Sequence, residues 1–233
     1  VDSSSTLYLK NGEFNENGQW GIYDSGPPYV YWIINGTAKC QNNNVSIWTN
    51  EENITFDGGS LELKNCTLSL DGEVVRESDG ILTSLTVLKQ DVITGEPKDF
   101  DFSNDSDSNI TLVLSGDTTI TIAVSPAIPG SAPSGLSALK GIEIQIDDTS
   151  EGLLTWALIK IFYNQSELDA LNIDESTLKI YYYNATLGDW QLEDNQGVNS
   201  AEDYVWANVT HFSIFGAFGS APATAIIATS ASS

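Results

Sequence analysis

Nine asparagine side chains head an Asn-X-Ser/Thr triplet, the spacing that accepts N-linked glycan on the amide nitrogen. Half of the eighteen asparagines lie in such a triplet, more than the Ser and Thr content would give by chance. The triplets begin at Asn35, Asn44, Asn53, Asn65, Asn104, Asn109, Asn164, Asn184 and Asn208. Because this modification belongs to exported proteins, the spacing predicts a glycoprotein with these residues at its surface.

An acidic stretch offers the second kind of chemistry, cation binding. Four carboxylates that could hold Ca²⁺ are Asp99, Asp101, Asp105 and Asp107. From Asp105 the chain matches the first ligand positions of an EF-hand loop, but Ile110 replaces the required glycine and Gly116 the closing glutamate. A looser calcium site and a solvated acidic loop both stay open, and the loop is favoured.

The residue types and their spacing give little support for a catalytic site. His211 is the single histidine, and no Gly-X-Ser-X-Gly motif accompanies it. Two cysteines and one distant histidine do not make a zinc site. Paired carboxylates could hydrolyse a glycosidic bond, but the sequence singles out no pair. We expect a protein that is not an enzyme and has no cofactor, with His211 in a structural hydrogen bond.

Composition limits the partners. The chain has 9 basic and 32 acidic residues, a formal charge of −23, which excludes nucleic acid and disfavours an anionic membrane surface. No apolar run reaches about 18 residues, so no membrane-spanning segment is expected. Hydrophobic residues make up 41% of the chain, enough for a packed core. We interpret Val1 as a mature N-terminus left after removal of a signal peptide.

Two cysteines, Cys40 and Cys66, lie in the most strand-like part of the first half. An even pair in an exported chain favours a disulfide, which would stabilise by about 3–4 kcal/mol on the chain-entropy estimate. Two buried free thiols are the alternative.

The candidate residues lie in a chain whose sequence predicts mostly β-strands. Apolar and polar residues alternate along much of the chain, tight turns are predicted at Asp57-Gly-Gly and Asp71-Gly, and strands recur about every ten residues. One helical turn is predicted at 166–171, with Ser166 as its N-cap. We predict an all-β protein with an N-terminal β domain (1–109), an immunoglobulin-like antiparallel sandwich (110–219) and a tail (220–233).

The tail is rich in Ala, Thr and Ser and carries no charge. It is either a frayed end or a strand that pairs with the open sheet of a neighbouring subunit, and the N-terminal Thr6-Leu-Tyr-Leu is a second candidate for that role.

Aromatic residues of the second half are predicted to lie in the core or on a sheet face, with a sugar-binding platform as the alternative. They include Trp190, Trp206, Phe212 and Phe215.

Several separated segments of the second half resemble a β-sandwich module of archaeal, methanogen-type cell-surface proteins, over residues 116–219. The segments are Ile159-Lys-Ile-Phe-Tyr, Leu171-Asn-Ile-Asp-Glu-Ser-Thr-Leu, Trp190, and Tyr204-Val-Trp-Ala-Asn-Val-Thr-His-Phe-Ser-Ile-Phe-Gly. Residues 33–70, with Gly58-Gly-Ser-Leu-Glu-Leu-Lys-Asn-Cys-Thr-Leu, are more loosely similar to short archaeal β-solenoid segments. The resemblance implies an extracellular or cell-surface protein and does not imply an enzyme.

These observations together predict a structural subunit of an extracellular assembly, a filament, sheath or surface layer. Its expected partners are N-linked glycans and copies of itself, joined by strand exchange. An adhesin or carbohydrate-binding protein is the alternative, and a secreted hydrolase is a weaker one.

Overall fold

The computed structural model describes residues 85–223 except residue 147, and before residue 85 the backbone of nine strands. Side chains are not described in those nine strands, nor at residues 87, 89, 105, 148 and 149. The early strands are β1 (Leu7–Leu9), β2 (Glu13–Asn15), β3 (Trp20–Tyr23), β4 (Trp32–Ile34), β5 (Thr37–Thr49), β6 (Asn53–Phe56), β7 (Ser60–Leu70), β8 (Glu73–Arg76) and β9 (Gly80–Leu82).

Most of the early strands pair in parallel. One stack runs β1-β4-β6, and in a second sheet β2 and β3 pair with β5, which pairs with β7. Trp32 is opposite Leu7, 25 residues earlier, and opposite Ile54, 22 residues later. A chain that returns to the same sheet at such intervals, in parallel, follows a solenoid-like path, since parallel neighbours cannot be joined by a tight hairpin.

The two predicted turns of this part lie outside the described residues, and only their flanking strands are described. On either side of Asp71-Gly, β7 and β8 are antiparallel with Leu70 opposite Glu73. On either side of Asp57-Gly-Gly, β6 and β7 lie in different sheets.

The later strands form two antiparallel sheets packed as a sandwich, which confirms the all-β fold class. They are β10 (Leu85–Val92), β11 (Lys98–Phe102), β12 (Ser108–Leu114), β13 (Thr118–Pro126), β14 (Ser137–Ile146), β15 (Leu154–Phe162), β16 (Lys179–Asn184), β17 (Asp189–Leu192), β18 (Gln196–Asn199), β19 (Tyr204–Val209) and β20 (Ile214–Gly219). One sheet has the order β10-β13-β14-β20-β16-β17, and the five-strand sheet has the order β11-β12-β15-β19-β18.

The core lies between these sheets because alternate residues of each strand point inward. In β15 and β19 every second side chain is buried. The largest fully buried side chains are Phe100, Phe102, Phe215 and Phe218. The loop Ser115-Gly-Asp connects β12 in one sheet to β13 in the other.

Strands before residue 109 also belong to the sandwich. β10 pairs along its length with β13, and β11 pairs with β12. β10 additionally pairs with β6, Leu85 opposite Ile54, so its sheet continues into the parallel stack as a nine-strand sheet. The predicted boundary at residue 109 therefore falls inside β12, while the division into domains itself stays a prediction.

In the described part of the chain three short α-helices connect strands: α1 (Ser103–Ser106), α2 (Asp148–Glu151) and α3 (Gln165–Leu171), with a 3-10 turn at Glu175–Thr177. The helical turn predicted at 166–171 is confirmed, but its N-cap is Asn164 and not Ser166. Asn164 accepts from the backbone N–H of Glu167, and the Glu167 carboxylate accepts from the N–H of Asn164. This capping box satisfies two amide groups that a helix end leaves unpaired, which explains why Asn164 takes the position.

Candidate functional site

The glycan-acceptor asparagines with described side chains all reach the surface. Asn104 and Asn164 are exposed, and Asn109, Asn184 and Asn208 are half-buried. The side chains of Asn44, Asn53 and Asn65, in β5, β6 and β7, and the whole of Asn35 lie outside the described residues. Where the structure describes these asparagines, none of them is buried.

Two acceptors lie at the ends of elements, Asn184 at the end of β16 and Asn164 at the N-cap of α3, and their amide oxygens accept hydrogen bonds there. Asn184 Oδ1 accepts from the backbone N–H of Thr186 at 3.0 Å and of Leu187 at 3.1 Å. Asn164 Oδ1 accepts from the N–H of Glu167 at 3.1 Å and from the hydroxyl of Ser166. Glycan is attached to Nδ2, so the turn contacts through Oδ1 are compatible with modification at both residues.

The other two half-buried acceptors, Asn109 and Asn208, lie on the outer face of the five-strand sheet. Ser108 and Ile110, which flank Asn109 in β12, are buried, as are Ala207 and Val209, which flank Asn208 in β19. Since neighbours in a strand point to opposite faces, both asparagines point away from the core.

Aromatic side chains share this outer face. Trp206 lies two residues before Asn208 in β19, and Phe162 of β15 contacts Tyr204 edge-to-face, with ring centroids 5.6 Å apart. The Lys160 ammonium lies 4.8 Å from the centroid of the Tyr204 ring, a cation–π distance. The outer face is therefore partly apolar although it is not covered by another layer of described residues.

The predicted core aromatics divide between two settings. Phe215 is in the core and Trp190 is buried at the outer side of the first sheet, where its indole N–H donates to the Pro129 carbonyl at 3.1 Å. Its ring contacts Phe218 and Tyr183 edge-to-face. Trp206 is instead a sheet-face residue.

The described carboxylates of the acidic stretch have separate partners. Asp99 accepts from the Thr111 hydroxyl, and Asp101 accepts from the Ser103 backbone N–H at 2.9 Å. The hydroxyl and then the backbone N–H of Ser103 lower the pKa of Asp101. Among the described side chains, which exclude Asp105, no group of three His, Cys, Asp or Glu residues could hold a metal ion. Calcium binding stays untested.

Asp107 has a different partner, the Lys140 ammonium of β14. Lys140 Nζ lies 2.8 Å from Asp107 Oδ2 and 2.9 Å from Glu167 Oε1, and it donates to the Phe162 carbonyl at 3.0 Å. The side chain is only 18% exposed. One cation thus joins β14 to the start of β12, to α3 and to the end of β15, a role that sequence reasoning missed because the partners are far apart in the chain.

The surface depression beside Lys140 has a volume of about 380 Å³. It is lined by Ser106, Asp107, Pro126, Ala127, Ile128, Lys140, Gly141 and Ile142. One carboxylate is present there and it is bound to Lys140, so this depression does not hold the facing carboxylates that a glycosidase needs.

His211 lies beside Glu193, with 3.7 Å between Nε2 and Oε1. Although this is within ion-pair distance, it is too long for a hydrogen bond, and both atoms are buried without a hydrogen-bond partner. Burial lowers the pKa of His211, and burial followed by the charge of Asp194 raises the pKa of Glu193, so both are pushed toward the neutral form. The His211 ring packs edge-to-face on Tyr182. The predicted structural hydrogen bond is not present; the histidine is held by ring packing.

The cysteines lie in neighbouring parallel strands, β5 and β7. Cys40 is opposite Leu63 and Cys66 is opposite Asn43, an offset of three residues. At about 3.3 Å per residue and about 4.8 Å between strands, the two Cα atoms are about 11 Å apart. A disulfide needs less than about 7 Å, so this register disfavours the Cys40–Cys66 bond, which stays a prediction.

No family model matches the chain, and no curated protein is significantly similar to it. In the described part of the chain, no helix has the length and apolar character needed to cross a membrane.

Proposed function

We propose that this chain is a structural subunit of an extracellular assembly that carries N-linked glycans. The observation that carries the proposal is the placement of the acceptors: nine triplets in the sequence, and every described acceptor at the surface. The resemblance to cell-surface β-sandwich modules of archaea agrees with this reading, and so does the charge of −23, which keeps glycoprotein surfaces soluble.

Glycan attachment requires an activated sugar, such as a glycosyl phosphate donor. The bond between the sugar C1 and the donor phosphate breaks, a new bond forms to Asn Nδ2, and the amide loses one proton. Glycopeptide mass spectrometry of protein from its native cell tests this directly. We expect sugar on most of the described acceptors, and bare asparagine at all nine positions would contradict the proposal.

Self-assembly by strand exchange is the proposed linkage. The last strand, β20, ends at Gly219, and the next residue is tied down: the Asp174 N–H donates to the Ser220 carbonyl and the Ser220 N–H to the Thr177 hydroxyl, both at 2.9 Å. Ser220 is therefore fixed to the sandwich, which supports a proposed donor strand that would begin after it.

The edge strand β17 is an unfavourable place for simple sheet extension. The Trp190 backbone N–H donates to Asp189 Oδ1 at 2.8 Å, and the Trp190 carbonyl accepts from Gln191 Nε2 at 3.0 Å. Side chains thus occupy backbone groups that an added strand would need. The neighbouring Gln196 side chain bonds both backbone groups of Ile180, at 2.6 and 3.2 Å, and fastens β18 to the other sheet.

Deletion of residues 224–233 tests the linkage, because it leaves the Ser220 anchor intact. We expect a folded monomer that does not polymerise, seen by negative-stain microscopy and analytical ultracentrifugation. Unchanged polymers would exclude the tail as donor strand. The matched control replaces the same residues with a Gly/Ser segment of equal length, which should also remain monomeric.

A carbohydrate-binding function is the second candidate, favoured by the aromatic outer face. It predicts measurable affinity for free oligosaccharide in a glycan array, lost when Tyr204 and Trp206 are replaced by alanine. Absence of binding by the unglycosylated protein would exclude it.

A further inference from the structure

Trp206 and Asn208 are neighbours on one exposed strand face. They are two residues apart in β19, so their side chains point the same way, about 7 Å apart. The acceptor's Thr210 follows two residues later. An aromatic residue also precedes Asn104, Asn164 and Asn184 by two positions, but Phe102 is buried, Asn164 caps α3, and Asn184 ends β16 in contact with the following turn.

The Trp206 ring lies flat on the sheet. Gly197 of β18 is opposite Trp206 in the register. A Cβ added at Gly197 would lie 3.0 Å from three indole atoms, Cε2, Cζ2 and Nε1. The indole therefore covers the glycine backbone with one ring face, and its other face points away from the sheet. Any larger residue at 197 would lift the ring.

Within β19, Trp206 is the aromatic neighbour of Asn208, and on the adjacent strand β15 Trp156 lies diagonal to it on the same sheet face. Leu158 is opposite Asn208 on one side, and the Asn208 N–H donates to the Asn195 carbonyl at 2.8 Å on the other. Asn109, on the same sheet face, has Lys160 and Asp101 as cross-strand neighbours and Asp107 two residues before it.

We propose that the outer face of the Trp206 indole is a carbohydrate-contact site, and that its ligand is the first sugar of a glycan on Asn208 of the same chain. The C–H groups of a hexose ring are apolar and pack on an aromatic face by dispersion and removal of water. Covalent attachment supplies a high local concentration, so a contact too weak to hold free sugar is populated.

The site rests on the proposed glycosylation and adds a specific role for one acceptor. The glycan at Asn208 shields the apolar outer face and stabilises the sandwich, whereas the glycan at Asn109 extends into solvent. Asn109 is thus the matched control, since it shares the sheet, the half-buried position and the proposed modification but has no aromatic residue beside it in β12. Phe162 of β15 lies diagonal to Asn109, and its ring packs edge-to-face on Tyr204.

The test is a double-mutant cycle in the glycosylated full chain. Asn208→Gln should lower the Tm by about 2–4 °C, the shift for a contact of about 1 kcal/mol in a chain of this size. In the Trp206→Leu background the same substitution should have little effect, and in Trp206→Phe part of the shift should return. Asn109→Gln should give the same shift with either residue at 206. Equal Asn208→Gln shifts in all backgrounds would overturn the proposal.

Hydroxyl-radical footprinting gives a readout that needs no Trp206 variant. Oxidation of the peptide containing Trp206 should rise several-fold in Asn208→Gln and stay constant in Asn109→Gln. Protection that depends on protein concentration and not on Asn208 would assign the surface to a second copy of the chain, and it would overturn the proposal.

Site occupancy separates this inference from the proposed function. If glycopeptide analysis shows Asn208 bare while other acceptors carry sugar, this inference fails and the glycoprotein proposal stands. If all nine are bare, both fail.

Discussion

The two faces of the five-strand sheet are made by the same strands but differ in burial. On the inner face Ile110, Ile159 and Ala207 are fully buried. On the outer face the neighbours Asn109, Lys160, Trp206 and Asn208 keep contact with solvent. Because side chains alternate along a strand, a shift of one residue separates the positions that stabilise the fold from those that face solvent. The predictions below test that separation.

The largest effect is expected from truncating adjacent residues of β15. Ile159→Ala removes a side chain with no exposed surface and should cost about 2–5 kcal/mol in the free energy of unfolding. Leu158→Ala, on the outer face, should cost about 1 kcal/mol or less. Urea denaturation followed by circular dichroism measures both. Equal losses would mean that the outer face is covered by something that packs like a core.

A second comparison concerns the contributions of two lysines to stability. Lys140→Met removes an ammonium that bonds three acceptors, and it should cost about 1.5–3 kcal/mol. Lys160→Met removes one cation–π contact on the outer face and should cost about 0.5–1 kcal/mol. The same denaturation assay applies. A smaller loss at Lys140 than at Lys160 would show that the contacts joining β14, α3 and β15 contribute little.

The acceptor asparagines should differ in their contribution to the free energy of unfolding even in protein without sugar. In unglycosylated protein, Asn164→Ala removes the N-cap of α3 and should cost about 1 kcal/mol, whereas Asn164→Asp keeps a capping oxygen and should cost little. Asn208→Ala, on the sheet face, should be close to neutral. Thermal unfolding of the three variants measures these stability losses. If Asn164→Ala did not lower the stability, the Asn164 side chain would not stabilise α3 as an N-cap.

The smallest effect is a dependence on pH at the edge of the core. Because the pKa of His211 in the folded protein is below its ordinary value of 6.5, protonation favours the unfolded chain, and stability falls as the pH drops from 6.5 toward the lowered pKa. The raised pKa of Glu193 acts in the opposite sense, adding stability as the pH falls toward 4.5.

His211→Asn should therefore remove the loss of stability just below pH 6.5, and Glu193→Gln should remove the gain at lower pH. Unfolding free energies measured from pH 7.5 to 4.5 resolve the two. A wild-type profile that matches His211→Asn throughout would mean that the histidine is not protected from protonation in the folded state.

Strand periodicity predicted the all-β class and many of the strands, because alternation is a local property of the chain. It did not predict parallel pairing before residue 82, since the direction of the neighbouring strand depends on where the connection leads. The membership of β10 and β11 in the sandwich was missed for the same reason. The N-cap at Asn164 was within reach of the sequence, since Glu167 three residues later is the signature of a capping box.

The sequence by itself determined which asparagines head an acceptor triplet and where apolar and polar residues alternate, because both patterns depend on residues two positions apart. Only the tertiary structure decided which side chains surround each of these asparagines. Aromatic residues precede Asn104, Asn164, Asn184 and Asn208 by the same distance, yet Phe102 is buried and Tyr182 packs on His211. Among the described acceptors, only at Asn208 do ring and acceptor share an open strand face. The Trp206 ring can lie flat on the sheet because its cross-strand neighbour is Gly197, which has no side chain. The pairing of these two residues is a property of the sheet and not of the local sequence.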